Sequence, residues 1–124
     1  DTYHYGNDEQ NRLWFEQNTL RCLTTMSEIA AEKNKLFALA ETGYEAIPDA
    51  DWWTKVLLKA IGDNKISYVL LWRNHGYNEY MKKMHYYAPY KGQTSEQDFI
   101  KFYNLDNTLF EKDAAAEKLY QHKD

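Results

Sequence analysis

"KLFALAETG", residues 35–43, decides how this 124-residue chain is read. An apolar run of strand length ends in a carboxylate, Glu41, followed by Thr42 and Gly43. A short run without polar alternation is the pattern of a strand buried on both faces, as in a parallel sheet covered by helices. A second such run, "KISYVLLW" at residues 65–72, begins about one strand–helix unit later. Between them lie a loop, "TGYEAIPDA", punctuated by Gly43 and Pro48, and the helical pattern "DWWTKVLLKAI" at residues 51–61. Asp49 or Asp51 can cap that helix and Gly62 can end it. Strand, helix, strand in this order predicts an α/β fold with a parallel sheet.

The same reading extends in both directions. Upstream, Leu13, Trp14, Leu20, Leu23, Met26, Ile29 and Ala30 recur at spacings of three and four, which predicts a helix over residues 10–33. The opening "DTYHYG" reads as the tail of another strand running into its loop. Downstream, Thr94 followed by Gln97 is a capping-box signature for a helix over residues 95–103. A last helical segment covers 107–122. Residues 74–93 read as a long loop carrying His75, Tyr77, Tyr80, Tyr86 and Tyr87. It either lines a binding subsite, or Tyr86, Tyr87 and Pro89 pack against the fold and order the loop.

Composition narrows the function classes. The length suits one small domain. The hydrophobic share is 44%, yet mean hydropathy is only -0.82, because much of the apolar set is Tyr (11) and Trp (4). Such side chains suit half-wet clefts as well as cores. The net charge of -4 is spread among interspersed charges, Lys82 and Lys83 being an isolated pair, which argues against a nucleic-acid partner. No run approaches the ~18 apolar residues of a membrane-spanning helix. A lone Cys22, expected as a small buried apolar residue, excludes an internal disulfide and a thiolate zinc site. His4, His75, His85 and His122 lack metal-ligand spacing, so neither a metal nor a cofactor is expected. Neither strand is followed by a glycine-rich phosphate loop, and no nucleophile elbow is present.

In parallel α/β folds, ligands bind at the carboxyl ends of the strands. Glu41 stands at one such end, Trp72 and Arg73 at the next, and Tyr3 and His4 at the preceding one. A carboxylate, a large aromatic, a guanidinium and a phenol together suit a sugar. The aromatic face stacks on C–H patches and the polar groups bond hydroxyls. Each residue also has a plainer reading: Glu41 as a solvated loop residue or cap, Trp72 as packing, Arg73 as a surface ion-pair partner.

"FALAETGYEAIPDADWW", "ISYVLLWRN" and "HYYAPYKGQTSEQDFIKFY" together, in order and with natural spacing, resemble the C-terminal part of glycoside hydrolase family 26, whose members include endo-β-1,4-mannanases. The resemblance runs from about residue 1 to about residue 112. It implies the C-terminal portion of a (β/α)8 TIM barrel, comprising the end of strand 6 and strands 7 and 8 with their helices. It also implies a retaining mechanism with two carboxylates. The "AETG" glutamate matches the family's nucleophile, which assigns that role to Glu41. "WRN" matches the eighth strand end, where Trp72 would floor the subsite beside the cleaved bond and Arg73 would reach a neighbouring sugar. "DTY" resembles the sixth strand end, where a tyrosine contacts the nucleophile, so Tyr3 is the candidate and Tyr5 the fallback.

The family's acid/base pair lies on a fourth strand that has no counterpart in residues 1–124, and neither Glu45 nor Glu79, both read as surface, replaces it. A full barrel takes about 250 residues. The expectation is therefore a single barrel domain of which residues 1–124 are the C-terminal half. Its N-terminal part would be supplied by another chain or segment, and a β-mannan polysaccharide would be the substrate. A xylan- or glucan-specific hydrolase of the same family, a non-catalytic β-glycan-binding domain and a purely structural α/β domain stay open. The chain begins at Asp1, with no signal segment, as a mature secreted chain or a piece of a longer protein would. A polymeric substrate points to a secreted, periplasmic or cell-surface protein.

Overall fold

The computed structural model describes residues 1–118. Its frame is a three-stranded parallel sheet in the order β1 (Thr2–His4), β2 (Leu39–Tyr44), β3 (Val69–Leu71). Helix α1 (Glu9–Lys33) carries the chain from β1 to β2, and a helical segment starting at Trp52 carries it from β2 to β3. The expected parallel α/β order is thus observed. On β1, Thr2 and His4 turn toward α1. Thr19 Oγ1 donates to Thr2 Oγ1 at 2.9 Å, and Phe15 stacks on His4 with ring centroids 5.2 Å apart. By alternation Tyr3 faces the opposite side of the sheet.

Asp8 caps α1, accepting from Asn11 N at 2.9 Å, and Asn34 ends it in a left-handed conformation, φ 50. The buried face differs from the expected one. Phe15, Thr19, Leu23 and Ala30 are buried, whereas Leu13, Trp14, Leu20, Met26 and Ile29 are exposed. Spacings of three and four fit more than one face of a helix this long, and Phe15, outside the expected set, is fully buried. Glu16 is buried too, because Arg12 Nε (3.1 Å) and Lys59 Nζ (2.6 Å) pair with its two oxygens. Cys22 is half-buried rather than buried.

Strand β2 starts at Leu39, not at residue 35. Lys35 N donates back to Ala30 O at 2.8 Å, leaving the helix, and Leu36 is 87% exposed, so the run is not buried on both faces. Glu41 accordingly lies within the strand rather than at its end. Two partner pairs, Leu39 with Val69 and Thr42 with Leu71, bracket two residues on β2 but one on β3. This bulge resets the alternation. Leu39, Thr42 and Tyr44 are buried on the helix side, while Glu41 and Gly43 share the side of Tyr3. Strand β3 is likewise shorter than residues 65–72.

The helix after β2 opens as a π-helical turn, Trp52–Leu57, with Leu58 N bonded to Trp53 O, and continues as α2 (Leu58–Ile61). Neither predicted aspartate caps it through its side chain; Asp49 Oδ1 instead accepts from Asp51 N at 2.9 Å. The wide turn lets two adjacent indoles bury completely. Trp52 packs toward Phe15 and Tyr44, Trp53 toward Phe99 and Phe102. Gly62 ends the helix at φ 59, as expected. Phe15, Leu23, Leu39, Tyr44, Ile47, both tryptophans, Val56, Leu57 and Ala60 form the core between sheet and helices.

Helix α3 (Glu96–Tyr103) has no Thr94–Gln97 box. Ser95 takes the cap position, its N and Oγ both donate to Gln93 Oε1 at 2.7 Å, and its Oγ accepts from Trp53 Nε1 at 2.9 Å. Helix α4 spans Glu111–Ala116, with Asp113 Oδ2 accepting from Phe110 N. The remainder of the predicted 107–122 helix beyond 118 lies outside the described residues. The predicted loop 74–93 contains an antiparallel hairpin, β4 (Gly76–Asn78) and β5 (Lys83–His85). Two three-residue strands are too short to leave a periodic signal.

Candidate active site

The side of the sheet away from the helices carries the groups singled out in the sequence. The Tyr3 hydroxyl donates to Glu41 Oε1 at 2.6 Å, across neighbouring parallel strands. That is the range of a charge-assisted O–H···O bond. Burial raises the Tyr3 pKa above the ordinary tyrosine value, and the bond to Glu41 raises it further. The phenol therefore keeps its proton near neutral pH and serves as a fixed donor to the carboxylate.

Trp72 follows β3 directly, and its backbone N donates to Thr42 O at 2.9 Å. Its backbone is thereby fastened to the residue after Glu41. The indole is half-buried, and the exposed Arg73 lies over it, with its guanidinium carbon 5.9 Å from the ring centroid. That is within cation–π range. Arg73 forms no ion pair among the described residues. Tyr5, the fallback for Tyr3, is 66% exposed and lies 6.1 Å from the Tyr3 ring; the carboxylate is bonded by Tyr3.

His4 belongs to the other side. It is buried, stacked on Tyr44 at 3.9 Å, and its Nδ1 accepts from Trp52 Nε1 at 3.1 Å. Burial pushes its pKa down, so the ring is a neutral part of the core. Glu45 is less of a surface residue than expected. It is half-buried, with Oε1 3.0 Å from Lys83 Nζ and 3.4 Å from His85 Nδ1, tying β5 to the end of β2. Glu79 is indeed at the surface.

The loop leaving β2 is held under strain. Ala46 and Ile47 have φ of 62 and 40, left-handed values that a buried β-branched residue rarely adopts. Gln93 Nε2 donates to both of their carbonyls at 2.9 Å, and Ala46 N donates to Tyr86 O at 2.9 Å. In the 74–93 segment, the packing alternative holds for Tyr87, which is buried beside Gly43 and edge-on to Tyr3 at 5.8 Å. Sequence reasoning missed Gly43, which leaves room for the Tyr87 ring, and Asn74, whose Oδ1 accepts from Tyr87 N at 2.8 Å. The available signal was a glycine two residues after the carboxylate and an asparagine directly after Trp72–Arg73.

A cleft of about 360 Å³ is lined by His4, Asp8, Arg12, Tyr44 and Asp49 among others, and Glu41 does not line it. No group of three or more His, Cys, Asp or Glu among the described residues is placed to hold a metal ion. No described helix is long and apolar enough to cross a membrane.

No family model and no curated protein matches the chain. Among solved structures, a GH26 beta-mannanase from Bacteroides ovatus matches it with a TM-score of 0.67 and 42% sequence identity, over 81% of this chain. The chain spans only 26% of that protein, in its C-terminal part.

Proposed function

We infer that this chain, which belongs to glycoside hydrolase family 26, supplies the nucleophile side of a retaining endo-β-1,4-mannanase site. The observation that carries this reading is the 2.6 Å bond from the Tyr3 hydroxyl to Glu41 on the sheet face away from the helices. Glu41 attacks the anomeric carbon and the sugar is held as a glycosyl-enzyme. The leaving oxygen takes its proton from a second carboxylic acid, which then activates the water that releases the sugar. Tyr3 stabilises the charged nucleophile, Trp72 offers an aromatic face to the sugar ring, and Arg73 bonds hydroxyls of a neighbouring sugar.

The second carboxylate and the other strands belong to the N-terminal part of the barrel, as another segment or chain. In this reading β1 is the end of strand 6, and β2 and β3 are strands 7 and 8. Two facts support it. The matched region is about a quarter of the solved relative, and among the described residues β1 and β3 each leave one edge unpaired, which a closed barrel would pair. A polymeric substrate places the work outside the cytoplasmic membrane.

The test uses the complete protein, incubated with β-1,4-mannan and with a mannobioside carrying a fluorinated trapping group. Hydrolysis, with added mass on the peptide containing Glu41, is the expected result. Mass on another carboxylate removes Glu41 from its role. Binding without hydrolysis or labelling would make the protein a glycan-binding module, and preferential cleavage of xylan or glucan would move the substrate within the family.

A further inference from the structure

The geometry points to Tyr87 as a positioning residue for the proposed nucleophile. It is seated by Asn74 and by the missing side chain of Gly43, and it acts through Tyr3. The inference rests on the reading of Glu41 and Tyr3 given above.

Three residues with no role in that chemistry meet at one point. Asn74 Oδ1 accepts from two consecutive backbone amides, Tyr87 N at 2.8 Å and Ala88 N at 3.0 Å. One side chain therefore fixes where the hairpin segment returns to the sheet. The return places the Tyr87 ring against Gly43, where a Cβ would sit 2.4 Å from Tyr87 Cδ1 and 3.2 Å from Cε1. Real Cβ atoms do not approach an aromatic ring so closely, so any side chain at position 43 displaces the ring. Gly43 is also the registered partner of Tyr3 on β1. The buried Tyr87 ring fills the space beside that pair and meets the Tyr3 ring edge-on, at 5.8 Å and 67°.

Tyr3 reaches Glu41 through a ring that swings about its side-chain torsions. A wall on one side removes part of that freedom, and the hydroxyl is held on the carboxylate oxygen. An ordered donor at a developing or departing charge is worth far more than one that must first be collected from solution. Tyr87 thus extends the chain of contacts outward, from Glu41 to Tyr3, to Tyr87, to Asn74.

The test is a double-mutant cycle in the complete enzyme, read as kcat and KM on β-1,4-mannan. Tyr87→Ala is expected to lower kcat on the order of 10-fold with KM little changed, and Tyr87→Phe, which keeps the ring, to restore it. In a Tyr3→Phe background Tyr87→Ala should cost almost nothing more, because the donor it orders is gone. Gly43→Ala provides a second route that truncates no ring. It should lower kcat alone and have little further effect combined with Tyr87→Ala. Additive losses in both cycles, or a loss in Tyr87→Phe as large as in Tyr87→Ala, would overturn the inference while leaving the hydrolase reading intact. A wild-type enzyme inactive on every β-glycan would overturn both.

Discussion

The indole N–H of Trp52 donates to His4 Nδ1 at 3.1 Å, which leaves the proton of the neutral imidazole on Nε2. His4 is sandwiched between Tyr44 and Phe15. Protonation would need Nδ1 as a donor as well, facing another donor, in a buried setting. Burial accordingly lowers the His4 pKa from its ordinary 6.5. In the unfolded chain the ring takes a proton near that value, whereas in the folded chain it does so only at lower pH. Stability from this group is complete above about 6.5 and is lost as pH falls toward the folded-state value. In urea unfolding of the complete protein, His4→Gln should flatten the decline in stability between about pH 7 and pH 5. Parallel declines in wild type and variant would refute the assignment.

Tyr3→Phe removes the donor to Glu41 and leaves the ring in place. Hydrogen bonds to charged groups are worth about 1.5–3 kcal/mol, so kcat/KM on β-mannan should fall on the order of 10- to 100-fold. The folded state should be little affected, since the ring still packs against Tyr87. Steady-state kinetics beside thermal unfolding of the same variant separates the two effects.

Trp72→Ala takes away the proposed sugar platform and the ring under Arg73. The backbone bond to Thr42 is kept, because the amide does not depend on the side chain. Weakened substrate binding with an intact fold is expected, seen as a KM rise of about tenfold or more on β-mannan oligosaccharides. An unchanged KM would return Trp72 to a packing role.

Ser95→Ala leaves the fully buried Trp53 indole N–H without an acceptor. An orphaned buried donor costs about 1–3 kcal/mol. The variant should unfold earlier in denaturant, whereas Ser95→Thr, which keeps the hydroxyl, should recover much of the loss. Equal stability of Ser95→Ala and wild type would show that the indole finds another partner.

The order of elements and the parallel sheet were legible because apolar runs and helical spacing carry over many residues. The meeting of Tyr3 with Glu41 came from the family resemblance rather than from spacing, and geometry brings the two together. What escaped the sequence was set by contacts between distant residues. Two flanks of α1 satisfy the same spacing, and only packing against His4 and Trp52 selects the one with Phe15. The cap of α3 falls at Ser95 because Gln93 bonds Ser95 and the Ala46–Ile47 carbonyls, and Ser95 in turn accepts from Trp53. The π-turn at Trp52 and the hairpin in 74–93 have no local pattern of their own, and Tyr87 becomes meaningful only once Gly43 lies beneath it.

The extra residue between Leu39 and Thr42 makes the aim of Glu41 a question of counting. Along a strand each step reverses the outlook of the side chain, so three unbroken steps from Leu39 would leave Thr42 facing away from the helices and turn Glu41 toward them. The bulge absorbs one step, so Leu39 and Thr42 are both buried on the helix side while the acid keeps the opposite outlook. A related chain that kept every residue from Leu39 to Thr42 but ran on as a regular strand would carry the right letter pointing the wrong way.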